Sequence, residues 1–275
     1  MLGQSFGGFC VLHYLSSSPE GLREAFVTGG LPPIGRHADE VYAATYAHAL
    51  DRSRRYYARY PEDRGRVVRL HERLAAEDVR LPDGDRLTTG RLRQLGNLLG
   101  MSDGAERLHY LLELPPDSPA FLHDVQGAGM PFPRGPLYAI LHEASYADGG
   151  ATRWSAHRVM PPDCAESPEL FTGEHVYPWA FDDYAALRPL REAADLLAEH
   201  EWPRLYDPER LRGNEVPVAA VIYAEDLYVE RTFSEQTAAQ VRGLRPWVTN
   251  EYEHNGLRAD GERVLDRLIA MARGR

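Results

Sequence analysis

Ser5 lies in Gly3-Gln4-Ser5-Phe6-Gly7, the G-x-S-x-G pattern of a nucleophile elbow. The chemistry such a turn serves is nucleophilic acyl transfer. Small residues two positions either side of the serine let a strained turn pass close to its neighbours and lift the hydroxyl above a sheet. The helix that follows then offers backbone N–H groups to developing negative charge. A Gly/Ser turn needs no catalytic purpose, but the helical continuation and the additional Gly8 favour the functional reading. A hydroxyl alone is a weak nucleophile, so a base and an acid to orient it must follow, and in hydrolases built on this elbow they come in the order acid, then histidine.

Asp226 comes directly after the apolar run VPVAAVIYAE, where the carboxyl end of a parallel strand delivers side chains to a site. His254 lies 28 residues further on, in the loop after RPWVTNEYE and before the last helical pattern. Of the 11 histidines, His13, His48, His71, His109 and His200 fall within helical patterns and read as packing or surface residues, whereas His254 is followed by Asn255-Gly256 in a post-strand loop. Glu225 is the rival acid. Neighbouring residues of an extended chain face opposite ways, so only one of the two can meet the histidine, and Asp226 is preferred.

Elements must position these residues. After the elbow, Phe9, Val11, Leu12 and Leu15 line one face of a helix that Pro19 and Gly21 stop. Ala25 to Thr28 read as a short buried strand ended by glycines and prolines. From about His37 to Trp202 the pattern is helical, interrupted by loops such as LPPDSP and GAGMPFPRG, and reads as an insertion rather than βαβ repeats. Strand character returns at VPVAAVIYAED, continuous enough for a strand covered on both faces. RPWVTNEYEHNG reads as a strand and loop, and Leu265, Leu268, Ile269 and Ala272 lie on one side of a closing amphipathic helix.

Composition excludes several classes. At 275 residues the chain buries a sizeable core. Its 43% hydrophobic and 26% charged residues belong to a globular protein. A net charge of -10 argues against nucleic-acid and anionic-membrane partners, which are held by clustered positive charge. All 31 basic residues are arginine, a bias read as coding drift and given no functional weight. The two cysteines, Cys10 and Cys164, stand in no metal-ligand spacing, so neither a disulfide framework nor a zinc site is expected. With no membrane-length apolar run and no signal-peptide pattern at MLGQSFGGF, the expected compartment is the cytoplasm.

GQSFGG, YAEDLYVER and RPWVTNEYEHNGLRADG, with the intervening ILHEASYADGGATRW and FTGEHVYPWAF, resemble the prolyl aminopeptidase (proline iminopeptidase) family of α/β-hydrolases through essentially the whole chain. The resemblance implies an α/β architecture, a partial α/β-hydrolase fold whose parallel sheet lacks its N-terminal strands and carries a large helical cap. The expected division is 1–35 for the first part of the core, 36–203 for the cap, and 204–275 for the second part of the core. It further implies Ser5 as nucleophile, Asp226 as acid and His254 as base, with no metal or organic cofactor. Glu143 and Glu174 stand where the family binds a free α-amino group. A buried cation needs paired negative charge, and acylated nitrogens must be rejected. Phe6, Tyr146, Tyr177 and Trp179 are the candidate apolar walls for a pyrrolidine ring. The implied activity is release of N-terminal proline from peptides. Homo-oligomerisation is left open.

Family members carry an H-G-G-P-G type loop before the elbow, and Met1 stands two residues before Gly3. The reading therefore expects neither that loop, which supplies part of the oxyanion hole, nor a strand leading into Ser5, and treats the chain as N-terminally truncated. Two alternatives stand beside the peptidase: the same triad acting on a non-peptide ester or amide, since folds do not fix substrates, and a catalytically inactive fragment.

Overall fold

The computed structural model describes residues 1–275, the side chain of Ala165 excepted. Four strands form one parallel sheet in the order β1 (Leu2–Gln4), β2 (Ala25–Thr28), β3 (Val218–Tyr223) and β4 (Leu244–Thr249). In register, Gly3 pairs with Val27, Val27 with Ala220, and Ala220 with Pro246.

β3 explains why the run VAAVIY is continuous. Val218, Ala220 and Ile222 share one core cluster with Val11, Leu12 and Leu15 of α1 (Phe6–Ser17) and with Val27. Ala219, Val221 and Tyr223 face the other way and join Val264 and Leu268 of the C-terminal helix Gly261–Ala272. A strand covered on both faces leaves no polar side for alternation to report. Each fully buried Val or Ile contributes about 1.5–3 kcal/mol, and a charge at Val221 would break both the layer and the pairing on either side. β4 lies at an edge of the sheet. It tolerates Pro246 there, exposes Arg245 and Val248, and buries Trp247 under Arg267, whose guanidinium stands 4.0 Å above the indole.

The strands at 25–28, 218–223 and 244–249, the helix after the elbow and the closing helix match the expectations from sequence, and the parallel sheet with packed helices is the expected partial α/β-hydrolase architecture. One expectation is corrected. A strand does lead into Ser5. β1 is only three residues long, yet it pairs with Phe26 to Thr28, and the terminal amine of Met1 donates to the Glu24 carbonyl at 2.8 Å.

Contacts divide the chain into two compact units: Met1–Val41 with Ser145–Ala151 and Glu201–Arg275, and Tyr42–Ala144 with Thr152–His200. Ser145–Ala151 thus groups with the sheet, in the middle of the stretch that sequence assigns to the cap. Asp148 is the reason. Its carboxylate accepts the backbone N–H groups of Leu205 at 2.7 Å, Tyr206 at 3.2 Å and Gly35 at 3.2 Å. The second unit is helical, with a core around Phe132, Phe181, Tyr184 and Leu187. Among the described residues, no helix is long and apolar enough to cross a membrane.

Candidate active site

The carboxyl ends of β1, β3 and β4 lead into the candidate catalytic residues, and a glycine pair follows β2. Ser5 follows β1, Gly29 and Gly30 follow β2, Asp226 lies just past β3, and His254 lies in the loop after β4.

Ser5 is held in a conformation that non-glycine residues rarely adopt, φ 52° and ψ −127°. Such strain persists only where the surroundings over-determine it. Here they do. The Ser5 N–H donates to the Thr28 carbonyl at 2.9 Å, and its carbonyl accepts the Gly8 N–H at 2.8 Å. A Cβ on Gly3 would lie 2.2 Å from the Gly7 carbonyl oxygen, and one on Gly8 would lie 2.3 Å from that of Gly30. A Cβ on Gly7 would meet nothing within 4 Å, so of the two glycines after the serine it is Gly8 that close packing demands. The N–H groups of Phe6 and Gly7 open α1 without an intrahelical acceptor and are suited to a developing oxyanion. Phe6 itself projects outward, 61% exposed.

Asp226 and His254 meet directly. Asp226 Oδ2 lies 2.8 Å from His254 Nδ1, while Oδ1 accepts the N–H groups of Tyr228 at 2.9 Å and Val229 at 3.1 Å. Both side chains are buried, and Glu225 is exposed. A carboxylate only accepts, so Nδ1 carries a proton, and in the neutral imidazole Nε2 is then the nitrogen with the lone pair that a base needs. The Gly29-Gly30 step touches both halves of the site. A Cβ on Gly29, at φ 55°, would lie 2.8 Å from the Tyr223 ring and 3.3 Å from His254 Nδ1. A Cβ on Gly30 would lie 2.1 Å from the Ser5 carbonyl oxygen. The two glycines, which the sequence reading treated as strand terminators, form the ledge on which elbow and imidazole are gathered.

Tyr146 also belongs to the first unit. It is buried edge-on against Phe9 with ring centroids 5.8 Å apart, and Phe9 in turn stands 6.3 Å from Phe6.

The remaining candidates lie in the second unit. Glu143 is buried, and its oxygens accept the N–H groups of Ala156 at 2.8 Å and Ser155 at 3.2 Å, where the chain enters the helix Ser155–Arg158. Burial pushes its pKa above the ordinary carboxyl range, opposed by the Ala156 N–H. Glu143, Thr152, Trp154 and Val176 line a cavity of about 10 Å³, room for a water rather than a pyrrolidine ring. Glu174 is half-buried; its Oε1 accepts the Tyr138 hydroxyl at 2.5 Å, and its carbonyl oxygen lies 3.1 Å from His142 Nε2. Tyr177 is a core residue, its hydroxyl 2.9 Å from that of Tyr46 and its ring stacked on Trp179 at 5.3 Å. Burial pushes its phenol up to about 12. Sequence reading missed Tyr138, His142 and Tyr228; only the spacing of Tyr228, two positions after Asp226, offered a signal. Among the described residues, no group of three or more His, Cys, Asp or Glu could hold a metal ion.

Curated relatives include a proline iminopeptidase of Aeromonas sobria, 50% identical over 99% of this chain and 66% of that protein. A proline iminopeptidase of Aspergillus aculeatus is 32% identical over 100% of this chain and 64% of that protein. The chain therefore spans just under two thirds of the length of these relatives. No protein-family model matches. Among solved structures, an α/β hydrolase from a Medee basin deep-sea metagenome library is similar at 8% identity and a TM-score of 0.38, over 100% of this chain and 64% of that one.

Proposed function

The chain belongs to the proline iminopeptidase family of α/β-hydrolases, and on that premise we propose that it is a serine aminopeptidase releasing N-terminal proline from peptides. The observation that supports this most is the 50% identity to a named proline iminopeptidase over nearly the whole chain. The strained serine and the Asp226–His254 contact add chemistry to it.

In this mechanism His254 Nε2 takes the Ser5 proton as Oγ attacks the carbonyl carbon of the terminal proline. Phe6 and Gly7 N–H groups stabilise the tetrahedral oxyanion. The imidazolium, steadied by Asp226, gives its proton to the leaving amine, and a prolyl ester remains on Ser5. Water, deprotonated by His254, hydrolyses that ester and frees proline. Glu174 is the direct ligand of the substrate's ammonium, because half-buried it can pair with a cation while Tyr138 fixes its carboxylate. Glu143 contributes a wall, since its oxygens already serve backbone N–H groups. Phe6, Tyr146, Tyr177 and Trp179 are proposed to shape the apolar surroundings of the ring. The peptides are cytoplasmic in this reading.

Release of naphthylamine from proline β-naphthylamide tests the proposal. Turnover by the wild-type chain, its loss in Ser5→Ala, and rejection of the N-acetylated substrate are expected. Equal rates on free and acetylated substrates would exclude the aminopeptidase reading.

A further inference from the structure

We propose that His175 is a positioning residue for Glu174, its imidazole closing the turn that aims the carboxylate, an inference that rests on the reading of Glu174 as ligand of the substrate's ammonium. Glu174 sits at the apex of a tight turn. The His175 N–H donates to the Gly173 carbonyl at 2.9 Å, and the Gly173 N–H donates to His175 Nδ1 at 3.2 Å, so the residues on either side of Glu174 are tied to each other twice. The turn is tied to its surroundings as well. The Thr172 N–H donates to the Arg93 carbonyl at 3.1 Å, and Gln94 Nε2 donates to the His175 carbonyl at 3.0 Å. These bonds fix the direction in which the Glu174 side chain leaves the backbone, and the Tyr138 hydroxyl on Oε1 fixes its tip.

The His175 imidazole is suited to this role. It is fully buried and stacked on Tyr46, with ring centroids 4.0 Å apart and planes 21° from parallel. A backbone N–H only donates, so Nδ1 holds a lone pair and Nε2 carries the proton. That proton goes to Thr45 Oγ1 at 3.0 Å, whose own hydroxyl donates to the Tyr42 carbonyl at 3.2 Å within the helix Ala38–Arg59. Donation therefore runs one way, from Gly173 through the imidazole and the threonine to that carbonyl. Burial, reinforced by His142, pushes the His175 pKa down to about 3, so Nδ1 remains an acceptor at neutral pH.

The test separates the two ring nitrogens. Asparagine puts an acceptor oxygen where Nδ1 stands, glutamine reaches only toward Thr45, and phenylalanine keeps the ring on Tyr46 without either nitrogen. In the full chain, hydrogen exchange of the Gly173 N–H is followed by NMR in wild type, His175→Phe, His175→Gln and His175→Asn, alongside kcat/KM on proline amide and its N-acetylated form. In the Phe and Gln variants the Gly173 N–H is expected to exchange at least about 10-fold faster. Their kcat/KM on proline amide falls about 10-fold, as when a charged group loses its alignment with a partner, while the rate on the acetylated form moves little. His175→Asn restores both signals. Folded Phe or Gln variants with wild-type exchange, or with the discrimination of a discriminating wild type, would overturn the proposal. So would an equal fall on both substrates, or an Asn variant that leaves either signal at the Phe level. Failure of the Phe and Gln variants to fold would overturn it too, making His175 a general stability residue. Exchange that responds as expected in a wild-type background that treats the two substrates alike leaves the turn-closing role intact and removes the amine reading of Glu174.

Discussion

Gly30 approaches Ser5 so closely that a methyl group on its Cα would lie 2.1 Å from the serine carbonyl oxygen and 3.0 Å from its nitrogen. Backbone, not a flexible side chain, occupies that space, so the clash can be relieved only by moving the elbow off β2.

Gly30→Ala is therefore expected to cost about 1–3 kcal/mol in stability, as overpacking does. It should also slow labelling of Ser5 by a fluorophosphonate much more than Gly7→Ala does, since a Cβ on Gly7 meets nothing. Thermal melting and the labelling rate check the two parts separately. Equal labelling rates in the two variants would contradict the assignment of the ledge.

What sequence revealed and what it concealed follow from the range of the interactions. β3 was legible because burial on both faces writes itself into consecutive residues. Asp226 and His254 were legible because each follows a strand. β1 was not, because three residues carry no periodicity and their pairing with β2 lies more than twenty residues away. Nor was Gly29-Gly30: a glycine pair after a strand reads as a stop, and only the sheet's register shows His254 and Ser5 against it. The capping role of Glu143 is hidden for the same reason, its backbone partners lying 12 and 13 residues on with no local pattern to join them.

Asp226→Asn should lower turnover by about 10⁴, because an amide nitrogen facing Nδ1 stabilises the tautomer that protonates Nε2. Glu225→Gln, at an exposed position, should leave turnover within about twofold. Steady-state kinetics of both variants decide it, and a severe loss in Glu225→Gln alone would move the acid by one residue.

His71 gives the second unit acid sensitivity. It is buried with Nε2 unpartnered among the described residues, and burial, then the Arg93 charge, push its pKa down to about 4 against an upward pull from Glu169. The unfolded chain thus binds a proton first. His71 leaves stability intact above its ordinary value of 6.5 and erodes it as pH falls toward 4. His71→Leu removes both the titration and the orphaned nitrogen, and should flatten the decline of melting temperature between those values. An unchanged slope would show that other groups dominate the acid response.

The two candidate glutamates of the second unit should part company on mutation. Glu174 offers a half-buried carboxylate held by Tyr138, and an ammonium arriving there would gain a charge-assisted bond of about 1.5–3 kcal/mol. Glu174→Gln should therefore reduce kcat/KM on free-amine substrates by about 10- to 100-fold and narrow the preference over N-acetylated ones, with melting nearly unmoved. Glu143 is occupied by the Ser155 and Ala156 N–H groups, so Glu143→Gln should appear first in the melting temperature, through one backbone donor left poorly paired. Its pH signature has a fixed sign. Burial raises its pKa, the folded state keeps the proton longer than the unfolded chain, and the stability it contributes below the ordinary value of 4.5 is lost as pH rises through the folded value. Glutamine cannot titrate, so the variant should lack that slope. Melting curves across this range, set beside kinetics on proline amide and its acetylated form, separate the two roles, and a Glu174→Gln enzyme that still rejects the acetylated substrate as strongly as wild type would take amine recognition away from this carboxylate.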